Sequence, residues 1–186
     1  MIGYAFCGSF CTLSASLEQM KLLVDNGYDV LPIMSFNVYN TDTRFFEAEE
    51  FKRRVKEICG REIIATIPDA EPLGPKVKLD ALIISPCTGN TLAKLACGIT
   101  DTPVCMAAKA HLRADRPLII ALSTNDALSG NLKSISVMLE KKSVYFVPMY
   151  QDDPVNKPHS LMAEFSMIPE SLVLALHGKQ TGKLFL

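Results

Sequence analysis

A chain of 186 residues that is 48% hydrophobic has enough apolar material for one compact domain with a sizeable core. Its formal net charge of −1 gives none of the electrostatic footprint of a nucleic-acid or membrane-surface binder, and no apolar run approaches the length of a bilayer span. Six cysteines without a CxxC pair and three scattered histidines lack metal-ligand spacing, so the thiols read as small buried hydrophobes in a reducing compartment and no metal is expected.

The chain opens on MIGYAFCGSFCTLSASL, which is apolar but lacks a basic leader and runs straight into a helical pattern carrying Glu18 and Lys21. A cytoplasmic protein is therefore expected. Residues 2–7 read as a first strand ending at Gly8-Ser9. Leu13, Leu17, Met20, Leu23 and Val24 share one face of the helix that follows. Asn26-Gly27 stops that helix, and residues 28–35 read as a second strand. Beyond the loop SFNVYNTDT, the spacing predicts a helix over 44–59 with Ala48, Phe51, Val55, Ile58 and Cys59 on one side, closed by Gly60. Residues 62–66 read as a short third strand, and PDAEPLGPK as a loop. Residues 80–85 are almost wholly apolar, as in a parallel strand buried on both faces.

A helix over 88–97 follows, then strands over 104–108 and 118–122. The next helix starts at Asp126 and turns Leu128, Leu132, Ile135, Met138 and Leu139 inward. A strand over 144–147, the polar loop QDDPVNKPH and a helical tail over 161–177, broken before Pro169, complete the chain. This alternation predicts one α/β domain over residues 1–186, Rossmann-like, with an open, mainly parallel sheet flanked by helices.

In such sheets ligands bind beyond the carboxyl ends of strands, where the strand order reverses. The loops after the first and fourth strands, Cys7-Gly8-Ser9-Phe10 and Pro86-Cys87-Thr88-Gly89-Asn90-Thr91, each join a glycine to hydroxyl residues and open a helix. Glycine lets the backbone approach an anion, and the unpaired N–H groups of a helix start point at it. A phosphate is the guest these loops suit, although helix capping alone also explains Thr88. No G-x-G-x-x-G follows the first strand and no acid ends the second, which disfavours a dinucleotide; the Walker pattern is missing too. Ser35, at the end of the second strand, suits a third phosphate donor.

These residues resemble the homo-oligomeric flavin-containing cysteine decarboxylases, whose superfamily includes the flavin prenyltransferases. The shared features are Gly8-Ser9, Ser35 and Pro86 to Thr91, continued by LAKLACGITDTPV with Gly98 and Asp101. The resemblance implies an FMN site built from Gly8, Ser9, Phe10, Ser35, Pro86, Thr88, Gly89, Asn90 and Thr91, in a trimer-based homo-oligomer that extends to a dodecamer. Seven strings resemble the dipicolinate synthase branch: TDTRF (41–45), AEPLGPK (70–76), TGNT (88–91), AAKA (107–110), STNDAL (123–128), YFVP (145–148) and QDDP (151–154). That branch implies oxidation of a cyclic lysine-pathway intermediate to a pyridine dicarboxylate in a spore-forming host. It also implies a partner, the A subunit of that synthase, which carries NAD(P). The decarboxylases' histidine before the fourth strand has no counterpart in AEPLGPKVKLD, and their P-x-M-N motif is read here as Ala107-Ala108-Lys109-Ala110. Cysteine decarboxylation is accordingly not implied.

A dicarboxylate substrate calls for cations and directed hydroxyls. Arg44, Lys109 at the end of the fifth strand, and Asn125 are the candidate substrate contacts; for the two cations a solvated surface role competes. Lys109 and Asp126 are the candidate catalytic groups, with a helix N-cap the stronger reading for Asp126. Lys94 reads as solvated, and His111 fits a surface loop better than a proton shuttle. Two alternatives stay open: an accessory subunit with a vestigial flavin site, and a flavin-modifying transferase.

Overall fold

The computed structural model describes residues 1–186. In chain order the elements are β1 (Ile2–Phe6), α1 (Leu13–Asp25), β2 (Val30–Met34), α2 (Phe36–Asn40), α3 (Ala48–Cys59), α4 (Ile67–Ala70), β3 (Ala81–Cys87), α5 (Gly89–Cys97), α6 (Pro103–Leu112), β4 (Leu118–Thr124), α7 (Leu132–Leu139), β5 (Val144–Phe146), β6 (Met149–Tyr150), β7 (Leu161–Ala163) and α8 (Ile168–Leu176). The central strands pair in parallel in the order β2-β1-β3-β4-β5. The order reverses between β1 and β3, which makes the carboxyl ends of those two strands the switch point of the sheet. The pairing of β3 with β4 shifts register between Ile84 and Cys87, around Pro86.

Every residue of β1 and β3 is buried, because helices cover both faces of the sheet. Leu82, Ile84 and Ile120 pack with Leu92, Val104 and Met138 on one side. Tyr4, Phe6, Ile83 and Ile119 pack with Leu17, Phe51 and Leu172 on the other. Each such side chain contributes roughly 1.5–3 kcal/mol when fully buried. The Tyr4 hydroxyl donates to the Ser16 carbonyl at 2.8 Å, and the Ser16 hydroxyl donates to the Ser85 carbonyl at 2.6 Å. This buried chain of hydrogen bonds locks α1 onto β1 and β3 directly behind the switch point.

Several elements differ from the sequence reading. Residues 62–66 form no strand: only Ile64 bridges to Ile33, at the edge of the sheet. Residues 104–108 lie in α6, not in a strand. The Thr102 hydroxyl caps that helix by accepting from the Cys105 N–H, Pro103 sits in its first turn, and alanines at 107, 108 and 110 favour it. The run looked like a strand because α6 is buried nearly all round and so shows no helical period. The helix after β4 starts at Leu132, not Asp126, and residues 125–131 are turns. Ile135 and Met138 are buried as expected, whereas Leu128, Leu132 and Leu139 are exposed. The tail contains β7, antiparallel to β4 and β6, before α8 begins. Pro169 lies in the first turn of α8, where its missing N–H costs nothing, so it starts the helix rather than breaking it. The helix predicted over 44–59 begins at Ala48, and the short α2 occupies part of the loop before it.

Candidate functional site

Because β1 and β3 pair directly, with Ala5 opposite Ile84, their two glycine loops leave the sheet side by side. The Cys7 N–H donates to the Pro86 carbonyl at 3.2 Å and ties them together. The Ser85–Pro86 peptide is cis. The Thr88 hydroxyl accepts from the Thr91 N–H at 3.2 Å and caps α5. It also donates to the Thr91 hydroxyl, which in turn donates to the Cys7 sulfur at 3.3 Å. Burial pushes the Cys7 thiol up to about 12, so it stays protonated and forms an inert floor.

The two threonine hydroxyls are thus engaged inside the chain. The N–H groups of Gly89 and Asn90 have no partner there and remain to donate to a guest. Gly89 has a second reason to be glycine. A Cβ there would lie 2.5 Å from Thr124 Oγ1 and from Asn131 Nδ2, so only a bare backbone lets α5 start against the turn that follows β4.

The Ser9 hydroxyl sits 3.0 Å from that of Ser123 and accepts from the Thr12 hydroxyl at 2.9 Å, joining the first loop to the end of β4. Phe10 lies against Gly8, where an added Cβ would meet its ring at 3.4 Å. Ser35 Oγ is buried and has no hydrogen-bond partner. An orphaned buried hydroxyl marks a place where a polar group from outside the chain fits. It walls a cavity of about 440 Å³ together with Gly8, Asn37, Thr88, Asn90 and Lys94. The Lys94 ammonium pairs with Asp101 at 2.8 Å and is only 22% exposed, so it belongs to the cavity wall and not to the solvated surface. Lys94 lies four residues after Asn90 on α5, a spacing that puts both on one helix face and was legible in the sequence. Asn37 and Thr102, also on this wall, carried no signal.

A neighbouring cavity of about 470 Å³ shares Gly8, Thr88 and Asn90 with the first and adds Ser9, Arg44 and Asn125. The structure therefore brings Arg44 and Asn125 to the mouth of the cradle. The Arg44 guanidinium rests 4.8 Å from the centre of the Phe45 ring, and no carboxylate of the chain pairs with it.

Three other candidates lie elsewhere. Lys109 is exposed on α6, not at a strand end, and lines a separate pocket with Leu95, Ile99, Arg113 and Lys141. Asp126 is not a helix N-cap, a position held by Asn131. Its carboxylate accepts from the Thr124 hydroxyl and from the Asn131 amide, the latter at 2.8 Å. The Thr124 bond holds its pKa below the usual carboxylate range. It organises the turn behind Gly89 and walls neither cavity. His111 is fully buried, with Nε2 2.9 Å from the Pro117 carbonyl, and burial lowers its pKa. It is a core group, not a surface-loop residue.

No three His, Cys, Asp or Glu side chains are grouped so as to hold a metal ion, and no helix is long and apolar enough to cross a membrane.

A 2-1-3-4-5 parallel sheet with two glycine loops at its β1/β3 switch point defines a flavodoxin-like architecture. The chain belongs to the Flavoprotein family, whose model matches residues 8–154. More particularly, it is a homologue of the B subunit of dipicolinate synthase. It is 43% identical to that protein from Bacillus subtilis over 179 residues, which cover 96% of this chain and 90% of the relative. The crystal structure of the dipicolinate synthase B subunit from Bacillus halodurans superposes with a TM-score of 0.92 at 40% identity, covering 100% of this chain and 95% of that one. A dodecameric FMN-dependent Ubix-like decarboxylase from Escherichia coli shares the fold, with a TM-score of 0.62 at 20% identity over 79% of each chain.

Proposed function

We propose that the cradle holds FMN and that the chain acts, in the cytoplasm, as the B subunit of a dipicolinate synthase. In this reading it takes part in oxidising a cyclic lysine-pathway dicarboxylate to dipicolinate, beside the synthase's A subunit, the partner that binds NAD(P). The observation that carries the flavin assignment is the buried, unpartnered Ser35 hydroxyl sharing one cavity with Asn90, whose N–H is free, while the free Gly89 N–H lies on the adjoining cavity. That donor set suits a phosphate; Lys94 beside it is paired with Asp101 on the same wall, so it offers a further N–H donor rather than net positive charge. Gly8, Ser9, Phe10 and Pro86 complete the cradle as the two loops that frame it.

Aromatising a reduced ring removes a hydride equivalent and a proton. Flavin, when bound, supplies a two-electron acceptor. The chain's own residues bind and orient: the backbone donors and Ser35 anchor the cofactor, and Arg44 and Asn125 at the mouth hold substrate carboxylate. In this reading neither Lys109, on a remote helix, nor Asp126, with its carboxylate already engaged, handles the proton. The dodecameric assembly named for the Escherichia coli neighbour supports a homo-oligomer here too.

The test is the visible absorption spectrum of the purified chain before and after adding FMN and dialysing. A retained flavin band is expected. A chain that keeps no flavin would leave an accessory role with a vestigial cradle and move the oxidation to the partner.

A further inference from the structure

The cavity at the mouth of the cradle, which Arg44 lines, adjoins a smaller one of about 100 Å³. The two cavities share Ser9, Cys11, Ser123, Thr124 and Asn125 as a common wall. On the far side of that wall stands a second cation, Lys157. Ser123–Asn125 therefore has the cavity that Arg44 lines on one side and the cavity that Lys157 lines on the other.

Both cations are held by their own loops. Thr43 Oγ1 accepts from the N–H groups of Phe45 and Phe46 at 3.2 and 3.3 Å, which sets the turn that stacks Arg44 on Phe45. The loop over 151–160 is braced more heavily. Gln151 Nε2 donates to the Pro158 carbonyl at 2.9 Å, and the Lys157 N–H donates to the Asp153 carbonyl at 2.8 Å. The Leu128 N–H donates to the His159 carbonyl at 2.9 Å, tying this loop to the turn after Asn125. The Lys157 ammonium pairs with Asp152 at 2.9 Å and stays about half exposed, at 49%. Asp152 also accepts from the Ser160 hydroxyl at 2.6 Å. An ammonium has three donors and Asp152 uses one, so Lys157 can keep that bond and still donate to a guest.

We infer that Arg44 and Lys157 form a two-point clamp, each taking one carboxylate of a small ring dicarboxylate seated over Ser123–Asn125. The clamp rests on the reading that this mouth receives the substrate of a dipicolinate synthase. It goes further by making Lys157, on the braced loop, the residue that distinguishes a dicarboxylate from a monocarboxylate. Asp152 positions Lys157, and Ser160 positions Asp152.

The experiment is calorimetric binding of dipicolinate and of picolinate, its monocarboxylate counterpart, to the purified full chain with and without added FMN. The chain is expected to prefer the dicarboxylate by on the order of tenfold, the weight of one charge-assisted hydrogen bond. Lys157→Met and Arg44→Met should each bring the preference close to unity, and Lys157→Arg should keep it. All three variants should retain FMN as the parent chain does. A parent chain that binds neither acid, or shows no preference, overturns the clamp, as does a Lys157→Met chain that keeps the preference. The flavin reading fails separately: a chain that discriminates between the acids but retains no FMN removes the flavin and leaves the clamp standing.

Discussion

The cradle and its mouth share Gly8, Thr88 and Asn90 and are built on opposite terms. In the cradle, the side chains that look like ligands are mostly internal braces. Thr88 caps α5, Thr91 bonds to Cys7, and Ser9 bonds to Ser123 and Thr12, which leaves backbone N–H groups and the lone Ser35 hydroxyl to meet an anion. At the mouth, Arg44, Asn125 and Lys157 are exposed or half-exposed side chains whose charged or amide ends remain free or only partly engaged. In the proposed function, rigid backbone recognition sits at the switch point, where the sheet fixes positions. Side-chain recognition sits on loops, where residues can change without disturbing the core.

The largest expected effect breaks the cradle outright. Gly89→Ala places a Cβ 2.5 Å from Thr124 Oγ1 and Asn131 Nδ2 and pushes α5 off the Asp126 turn. Thermal denaturation should show a loss of about 1–3 kcal/mol, and dialysis should show flavin retention lost with it. A variant that keeps both would mean that the contact does not position the cradle.

Ser35→Ala separates binding from stability. The hydroxyl has no partner in the chain, so its removal should leave the melting temperature unchanged or slightly raised. The FMN dissociation constant should rise by on the order of tenfold, read by flavin fluorescence titration. A fall in stability without loss of affinity would assign Ser35 to the scaffold instead.

Asp126→Asn tests whether the turn behind Gly89 depends on charge. Asp126 has its acidity increased, first by the Thr124 hydrogen bond, so its contribution is present above the unfolded carboxylate pKa and is lost as pH falls through the lower folded value. The group is largely exposed, which keeps the effect under about 1 kcal/mol. The variant should therefore flatten the acid limb of a melting profile while flavin retention at neutral pH persists.

His111, in α6 and outside both regions, serves as the control. Burial lowers its pKa, so the fold keeps it neutral. Stability should hold above the ordinary histidine value of about 6.5 and decline as pH drops below it, toward the lower folded pKa. Flavin retention should follow only the unfolded fraction; a pH-dependent loss of flavin from folded protein would mean that His111 couples to the cradle.

The chain alone determined the α/β class and the two loops of the cradle. A glycine next to hydroxyls at a strand-to-helix junction is a local signal, read from Gly8-Ser9 and Thr88-Gly89-Asn90-Thr91 without knowing what lies opposite. The sequence also supplied Arg44 and Asn125, on the strength of a resemblance. Tertiary structure alone decided that residues 104–108 are helix, because a segment buried nearly all round has no polar face to reveal its period. That one assignment moved Lys109 from the crevice to a remote pocket. Only the fold showed that Thr88 and Thr91 are braces while Ser35 is free, since hydrogen-bond satisfaction depends on neighbours far away in the chain. Lys157 reaches the mouth because the 151–160 loop folds back onto the end of β4, more than a hundred residues beyond Arg44 in sequence. No local pattern encodes such a meeting: it follows from antiparallel pairing of β4 with β7 at the carboxyl end of the parallel strands.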